Sequence, residues 1–180
     1  MKILKISAIL FFCWGINLTG FAQKIPADAL KGDFDGDGKP EFAWITSNMK
    51  EQKTEDDFGQ CNGGDCQCII RFSNPKIRGI IVPQCIGSDA LQNEGDLNGD
   101  GRDELSLVPS WWTSCWQACH VYTFQTNGRW RELIKPFSVY CSHLADNPDV
   151  VRSVAPKTIE IRESTMGEEI GIKTRKIKVN

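Results

Sequence analysis

Residues 32–41 of the chain read GDFDGDGKPE, and residues 95–104 read GDLNGDGRDE. The second segment repeats the first in register, because each of its residues lies 63 positions after its counterpart. Both follow the pattern D-x-[DN]-x-D-G-x-x-E, with carboxylate or amide side chains at alternate positions. Carboxylates this close together repel one another, so the pattern indicates a turn that bends around something positively charged. The duplication also indicates a fold built from two similar units.

The oxygen atoms of each segment have the spacing of a loop that wraps a hard cation. Loop positions one, three and five offer side-chain oxygens, position seven a main-chain carbonyl and position nine a carboxylate. Calcium accepts about six to eight oxygens at flexible angles, whereas magnesium requires a stricter octahedron and keeps its waters. We therefore expect two Ca²⁺ sites. The candidate ligands are Asp33, Asp35, Asp37, the Lys39 carbonyl and Glu41 in the first loop, and Asp96, Asn98, Asp100, the Arg102 carbonyl and Glu104 in the second.

A solvated turn and an EF-hand both account for these loops less well than a calcium-binding loop between strands. Asp-Gly clusters form solvated turns that bind no ion, but a second copy at the same spacing favours a metal site. An EF-hand would require a carboxylate at the twelfth loop position and helices on both sides, yet Trp44 and Leu107 stand there. The first loop carries four carboxylates and the second three, since Asn98 replaces an acid. We expect the first loop to bind its ion more tightly.

Sequence typical of β-strands surrounds both loops at matching places. The predicted strands are Phe42–Ile45, Cys68–Phe72 and Ile77–Val82 in the first unit, Leu105–Val108, Cys119–Phe124 and Trp130–Ile134 in the second, and Thr158–Arg162 and Ile170–Val179 near the end. The polar residues 46–64 are expected to form a long exposed loop. No helix is expected after Lys24, because apolar residues seldom recur at helical spacing over three turns. The chain is therefore predicted to be all-β.

With these loops and strands, the chain resembles the FG-GAP repeat of integrin α chains and the related VCBS repeats of secreted bacterial proteins. In those repeats the same acidic loop joins the first two strands of a propeller blade and holds calcium, and Val121–Phe124 looks like the V-Y-V-F strand of the family. The resemblance implies blade-like sheets and the ligand sets given above. A closed propeller takes at least four blades, or roughly 240 residues at this repeat length. We therefore predict two or three blade-like antiparallel sheets in an open, disulfide-stapled stack.

The N-terminal residues have the layout of a secretory signal peptide. Lys2 and Lys5 precede the apolar run Ile6–Trp14, which is too short to span a bilayer, and small residues follow. We expect residues 1–22 to be removed, with cleavage near Ala22 or Gln23. The expected mature chain, 23–180, would be a single β domain that has no membrane span. It would comprise one repeat unit at about 24–88, a second at about 89–148 and a C-terminal partial unit at 149–180.

Charge and cysteine content narrow the class of protein. Losing Lys2 and Lys5 from the 21 basic residues leaves 19 against 23 acidic ones, a net charge of about −4 that disfavours nucleic acid as a partner. A secreted or periplasmic protein folds in an oxidising compartment, so its cysteines are expected to pair. Aligning the two units predicts the bridges Cys68–Cys85 and Cys119–Cys141, with one of Cys61, Cys66 and Cys115 left unpaired. Zinc bound by Cys61, Cys66, Cys68 and Cys85 is the alternative, and it suits a reducing compartment better.

These patterns together predict a secreted or periplasmic calcium-binding repeat protein in which calcium is structural. Its partner would be an extracellular or periplasmic protein or a glycan. An inhibitor or immunity-type protein that covers an enzyme is one alternative, and a hydrolase with structural calcium is another. An enzyme is not expected, because neither His120 nor His143 has a sequence context that marks a nucleophile or its base. The tryptophans of residues 111–116 are predicted to pack between sheets, with a sugar-stacking surface as the alternative.

Overall fold

A computed structural model describes residues 24–57 and 59–180, so the predicted signal peptide lies outside the described residues. The fold is all-β, with three antiparallel sheets, none of them closed into a barrel, and three disulfide bonds. The prediction of an open, disulfide-stapled stack is thus confirmed. The elements are β1 (Leu30–Gly32), β2 (Glu41–Ser47), β3 (Gln67–Phe72), β4 (Ile80–Pro83), β5 (Gly87–Gly95), β6 (Glu104–Ser110), β7 (Trp116–Phe124), β8 (Trp130–Glu132), β9 (Phe137–Tyr140), α1 (Cys141–Asp146), β10 (Val151–Ala155), β11 (Thr158–Met166) and β12 (Ile170–Lys178).

The acidic loops occupy equivalent places in two of the sheets. The first sheet has the order β1-β2-β3-β4, and the first loop joins β1 to β2. The second sheet has the order β5-β6-β7-β8, with β9 pairing to the other half of β7, and the second loop joins β5 to β6. The third sheet, β10-β11-β12, has no acidic loop. Each loop therefore forms the turn between two hydrogen-bonded antiparallel strands.

The second sheet is the middle layer of the stack and contributes to two hydrophobic cores. Its residues Leu105 and Leu107 pack with the first sheet, in a core that also holds Phe34 and Ile70. Other residues of the second sheet pack with the third, in a core that contains Leu97, Val108, Val121, Val139, Ile159 and Ile161. Burial on both sides explains why five consecutive residues of β6 are buried. The apolar residue at loop position two, Phe34 or Leu97, anchors each loop in one of these cores.

Several elements were not expected from the sequence. The helix α1 spans only six residues, too few to show a helical period, and Leu144 is its buried residue. Strands β1, β5, β9 and β10 were also missed. β5 contains Asp, Asn and Glu residues that rarely favour strands, and pairing with β6 across the acidic loop accounts for its extended form. Residues 46–64, predicted as a loop, contain the end of β2, a 3₁₀ turn at Glu55–Asp57 and an isolated bridge between Met49 and Cys61.

The disulfides confirm one predicted bridge and correct another. Cys68 pairs with Cys85, as expected, and Cys61 pairs with Cys66. The predicted Cys119–Cys141 bridge is wrong, because Cys141 pairs with Cys115 and Cys119 is a buried free thiol.

The register of β7 against β9 explains why Cys141 pairs with Cys115 and not with Cys119. Trp116 lies opposite Tyr140 and Cys119 opposite Phe137, so the next pair outward is Cys115 and Cys141. The Cys141 N–H donates to the Cys115 carbonyl at 2.9 Å. Aligning the units by sequence could not reveal this local register. The unpaired cysteine was therefore predicted in the wrong segment.

Within the described residues, no helix has the length and apolar character needed to cross a membrane.

Candidate metal sites

The first loop, residues 33–41, brings its three aspartates together. One carboxylate oxygen from each of Asp33, Asp35 and Asp37 lies within 4.8 Å of the others. Asp33 also shapes the loop, because it accepts hydrogen bonds from the N–H groups of Gly36 at 2.9 Å, Asp37 at 3.1 Å and Gly38 at 2.9 Å. Gly36 and Gly38 have φ angles of 75° and 80°, which residues with a side chain rarely adopt. The chain thereby curls around the carboxylates.

The second loop, residues 96–104, repeats the three hydrogen bonds to the aspartate at position one, whereas the bond from the Asp37 N–H to Asp35 at 3.1 Å has no counterpart at Asn98. Asp96 accepts from the N–H groups of Gly99 at 2.6 Å, Asp100 at 3.1 Å and Gly101 at 2.9 Å. Gly99 and Gly101 have φ angles of 75° and 84°. The residues at position seven are held alike, since the Lys39 N–H donates to Asp37 at 2.8 Å and the Arg102 N–H to Asp100 at 3.0 Å. The two loops therefore have the same backbone conformation.

The glutamate at position nine is buried in both loops. One oxygen of Glu41 accepts from the Phe34 N–H at 2.9 Å, and one of Glu104 accepts from the Leu97 N–H at 2.7 Å. Burial raises the pKa of Glu41 above its usual value, and nearby aspartates add to the effect. For Glu104, which is fully buried, desolvation raises the pKa to about 7. Such carboxyl groups gain stability from a cation that favours their ionised form.

Asn98, at position three of the second loop, is buried with one side-chain oxygen left without a hydrogen-bond partner. The side chain is only 3% exposed, and its Nδ2 donates to Glu104 at 2.9 Å, Thr123 at 3.2 Å and Asp100 at 3.3 Å. Its Oδ1 is buried and has no hydrogen-bond partner. A buried oxygen without a partner costs about 1–3 kcal/mol. An amide oxygen at loop position three is chemically suited to binding calcium, while Nδ2 of the same amide faces the carboxylates of Asp100 and Glu104. The residues of the second loop have the donor chemistry for the predicted ion, but among the described residues only Asp33, Asp35 and Asp37 bring three carboxylate oxygens within 4.8 Å of one another, and Asp96, Asp100 and Glu104 do not form such a group.

The sequence did not reveal the residues that contact the candidate ligands from outside the loops. In the first site, Asn74 donates through Nδ2 to Asp35 at 2.9 Å and to Glu41 at 3.5 Å. In the second site, Thr123 on β7 hydrogen-bonds Asn98. These two residues occupy different places in their units, so the 63-residue offset does not align them. Only the folded sheet brings them next to the loops.

The two histidines lie outside both loops. His120 Nδ1 lies 2.8 Å from Glu132 Oε1, and its ring stacks on Tyr122 with centroids 5.8 Å apart. His143 Nδ1 lies 2.9 Å from the hydroxyl of Ser164, which is a pairing known from serine hydrolases. Ser164 is 4% exposed, and its hydroxyl also accepts from the Tyr140 N–H at 2.9 Å. The hydroxyl is thus enclosed and already bonded, which suits a packing contact.

Four aromatic residues near the start of β7 and the end of β9 lie outside both hydrophobic cores. Trp111, Trp112, Trp116 and Tyr140, here called the aromatic cluster, are all partly exposed. Ring centroids lie 5.9 Å apart for Trp111 and Trp112, and 5.1 Å apart for Trp116 and Tyr140. The prediction that these tryptophans pack between the sheets is wrong. The sequence could not show this, because the burial of an aromatic side chain depends on which sheet covers it.

Comparison with known proteins gives no relative from which a function could be carried over. No family model, no curated protein and no solved structure matches the chain.

Proposed function

We propose that the protein is a secreted or periplasmic calcium-binding β-repeat protein, in which one Ca²⁺ in each acidic loop acts as a structural clamp. The observation that carries the proposal is the buried, unpartnered Oδ1 of Asn98. It lies within a loop whose backbone scaffold matches that of the three-aspartate loop. The duplicated ligand pattern and the buried glutamates support the same conclusion.

The clamp would act through residues that belong to the loops and to the cores at once. Phe34 and Leu97 sit at loop position two, and each is almost completely buried. Their N–H groups bind the position-nine glutamates Glu41 and Glu104. An ion that draws the loop carboxylates together would therefore also hold the apolar anchor of each loop in its core. Calcium would supply positive charge only, with no role in bond making or breaking.

The energetic contribution of each ion would be a large part of the stability of the domain. Calcium at about a hundred times its dissociation constant adds roughly 2.7 kcal/mol per site. Extracellular modules bind calcium at about 0.1–1 mM. Small domains are stable by about 5–15 kcal/mol in total. Two occupied loops would thus supply about 5.4 kcal/mol, which is about a third of the total at the upper end of that range and all of it at the lower end.

The disulfides support the proposed compartment, and the aromatic cluster is the surface proposed to meet the partner. Three disulfide bonds are compatible with an extracellular or periplasmic location. The partner is proposed to be a protein or a glycan. Partly exposed aromatic rings are the side chains on which sugar rings stack and which dominate protein interfaces. A glycan array and a pull-down from an extracellular or periplasmic extract would separate the two classes.

Thermal unfolding with and without calcium tests the central proposal. The melting temperature should fall when calcium is chelated, and magnesium at the same concentration should restore little of it. The variants Asp37→Asn and Asp100→Asn should each reduce the calcium-dependent shift, because each removes one ligand charge. Asp146→Asn on α1 is the matched control, since this exposed acid lies outside both loops. A melting curve that is the same in calcium and in chelator would overturn the proposal.

A further inference from the structure

The two acidic loops are in direct contact with each other. The Asp33 N–H donates to Asp103 Oδ2 at 2.9 Å, and the Asp103 N–H donates to the Asp33 carbonyl at 2.9 Å. Asp33 is the first residue of the first loop, and Asp103 is the eighth of the second. A reciprocal pair of hydrogen bonds therefore joins residues that are 70 positions apart in the chain.

Asp103 is held in place by a third partner. Asn93 on β5 donates through Nδ2 to the same Asp103 Oδ2 at 2.8 Å and to the Lys31 carbonyl at 3.0 Å. Lys31 lies on β1, directly before the first loop. The equivalent of Asp103 in the first loop is Pro40, which has neither an N–H nor a carboxylate. The contact is thus specific to the junction between the two loops and is absent from the repeated pattern itself.

Arg102 forms a second connection between the loops. Its Nε donates to the Asp35 carbonyl at 3.2 Å, and its Nη1 lies 3.4 Å from Asp100 Oδ2. One guanidinium therefore touches a candidate ligand residue in each loop. The loops are also packed tightly, because a Cβ at Gly36 would lie 2.9 Å from Arg102 Cγ and 3.0 Å from the Gly101 carbonyl oxygen. The two loops are therefore in close contact at Gly36 and Arg102.

We propose that Asp103 and Arg102 are positioning residues that couple the two ion sites, so that calcium in one loop raises the affinity of the other. This inference rests on the proposed function. An ion in the second loop orders residues 96–104, including Asp103 and Arg102. These two residues in turn hold the backbone of Asp33 and Asp35, so the first loop loses less conformational freedom when it binds its own ion. The effect is reciprocal by thermodynamic linkage.

Calcium titration calorimetry on the metal-free full chain measures this coupling. Asp37→Ala removes a ligand from the first loop and Asp100→Ala removes the equivalent ligand from the second, so that each variant gives the affinity of the remaining loop alone. The coupling factor is the wild-type product of the two binding constants divided by the product of these two values. We expect a factor of about 10, within the roughly 5–150-fold range of typical coupling between sites.

Substitution at Asp103 identifies the residues responsible. Asp103→Ala should reduce the coupling factor to twofold or less. Asp103→Asn should keep it within twofold of wild type, because both hydrogen bonds converge on one oxygen that an amide also offers. If the alanine variant does not fold, Arg102→Ala provides the same test, with a smaller factor expected. Asp146→Ala, on the distant helix α1, should leave the factor unchanged.

The possible outcomes separate this inference from the proposed function. A wild-type factor within twofold of one, or a factor below one from repulsion between the ions, would overturn the coupling. So would an unchanged factor in Asp103→Ala. Wild-type protein that takes up no calcium would instead overturn the calcium sites themselves.

Discussion

Replacing Asn98 with aspartate should have opposite consequences in the metal-free and calcium-bound protein. Asn98 Nδ2 donates to Glu104 at 2.9 Å and to Asp100 at 3.3 Å, and aspartate lacks this donor. It also places a new charge next to two carboxylates. Two like charges 2.9 Å apart repel by about 6 kcal/mol at an effective dielectric constant of about 20. Glu104, whose pKa is already raised to about 7, relieves part of this by taking up a proton.

In the metal-free state we expect Asn98→Asp to lower the free energy of unfolding by about 3 kcal/mol, the usual cost of an uncompensated buried charge. For a domain of this size, such a loss lowers the melting temperature by roughly 6–12 °C. With calcium the new carboxylate becomes a ligand and makes the second loop match the first. We expect roughly tenfold tighter binding, which adds about 1.4 kcal/mol to the stabilisation that calcium provides.

The assay is thermal unfolding followed by circular dichroism, in chelator and in excess calcium, with calorimetry for the affinity. Asn127→Asp is the matched control, because it adds the same charge at an exposed hairpin turn outside the loops. The reasoning fails if calcium stabilises Asn98→Asp no more than wild type. It also fails if the control shows the same loss in chelator.

Three further predictions concern the packing, the pH dependence and the disulfides. Gly38→Ala should lower the free energy of unfolding in urea by about 1–2 kcal/mol, because Gly38 has a positive φ. Gly36→Ala should lower it by about 1–3 kcal/mol more, because only a Cβ at Gly36 would meet the second loop. Equal losses in the two variants would contradict the tight contact. Burial raises the pKa of Glu94 above its usual value, so the contribution of Glu94 to stability should fall as the pH rises through this higher value. The melting temperature of Glu94→Gln should therefore rise relative to that of wild type over this pH range. Melting temperatures that change with pH in parallel in the two proteins would refute this. Replacing Cys115 and Cys141 by alanine removes a disulfide that joins residues 26 positions apart, and should lower the free energy of unfolding by about 3.5 kcal/mol. This difference from wild type should vanish in reductant. A difference that persists would mean that packing is responsible.

The elements that could be predicted were those specified by local pattern. Alternating apolar residues identified β2, β3, β6 and β7, whose faces are buried in the two cores. The helix α1 and the strands β1 and β5 escaped, because they are short or polar and form through pairing with neighbours. Hydrogen bonds to a partner strand stabilise such segments regardless of their own propensity.

The predicted disulfides show the same division. Cys68 and Cys85 lie on or beside adjacent strands of one hairpin, so their proximity follows from local structure. Cys141 lies next to Cys115 because of the register of β7 with β9, which joins strands that are not consecutive in the chain. A shift by one residue turns a side chain to the opposite face of a sheet, so small errors in register change the partner completely.

By itself, the sequence determined the two acidic loops, their ten candidate ligand residues and the all-β character of the chain, because each depends on residues close together in the chain. Only the tertiary structure decided how the loops relate to each other. It placed Asp103 against Asp33, buried the side chain of Asn98 and brought Asn74 beside the first loop. These contacts arise from the stacking of separate sheets, and the physical reason is that packing fixes distances between residues that the chain itself leaves far apart.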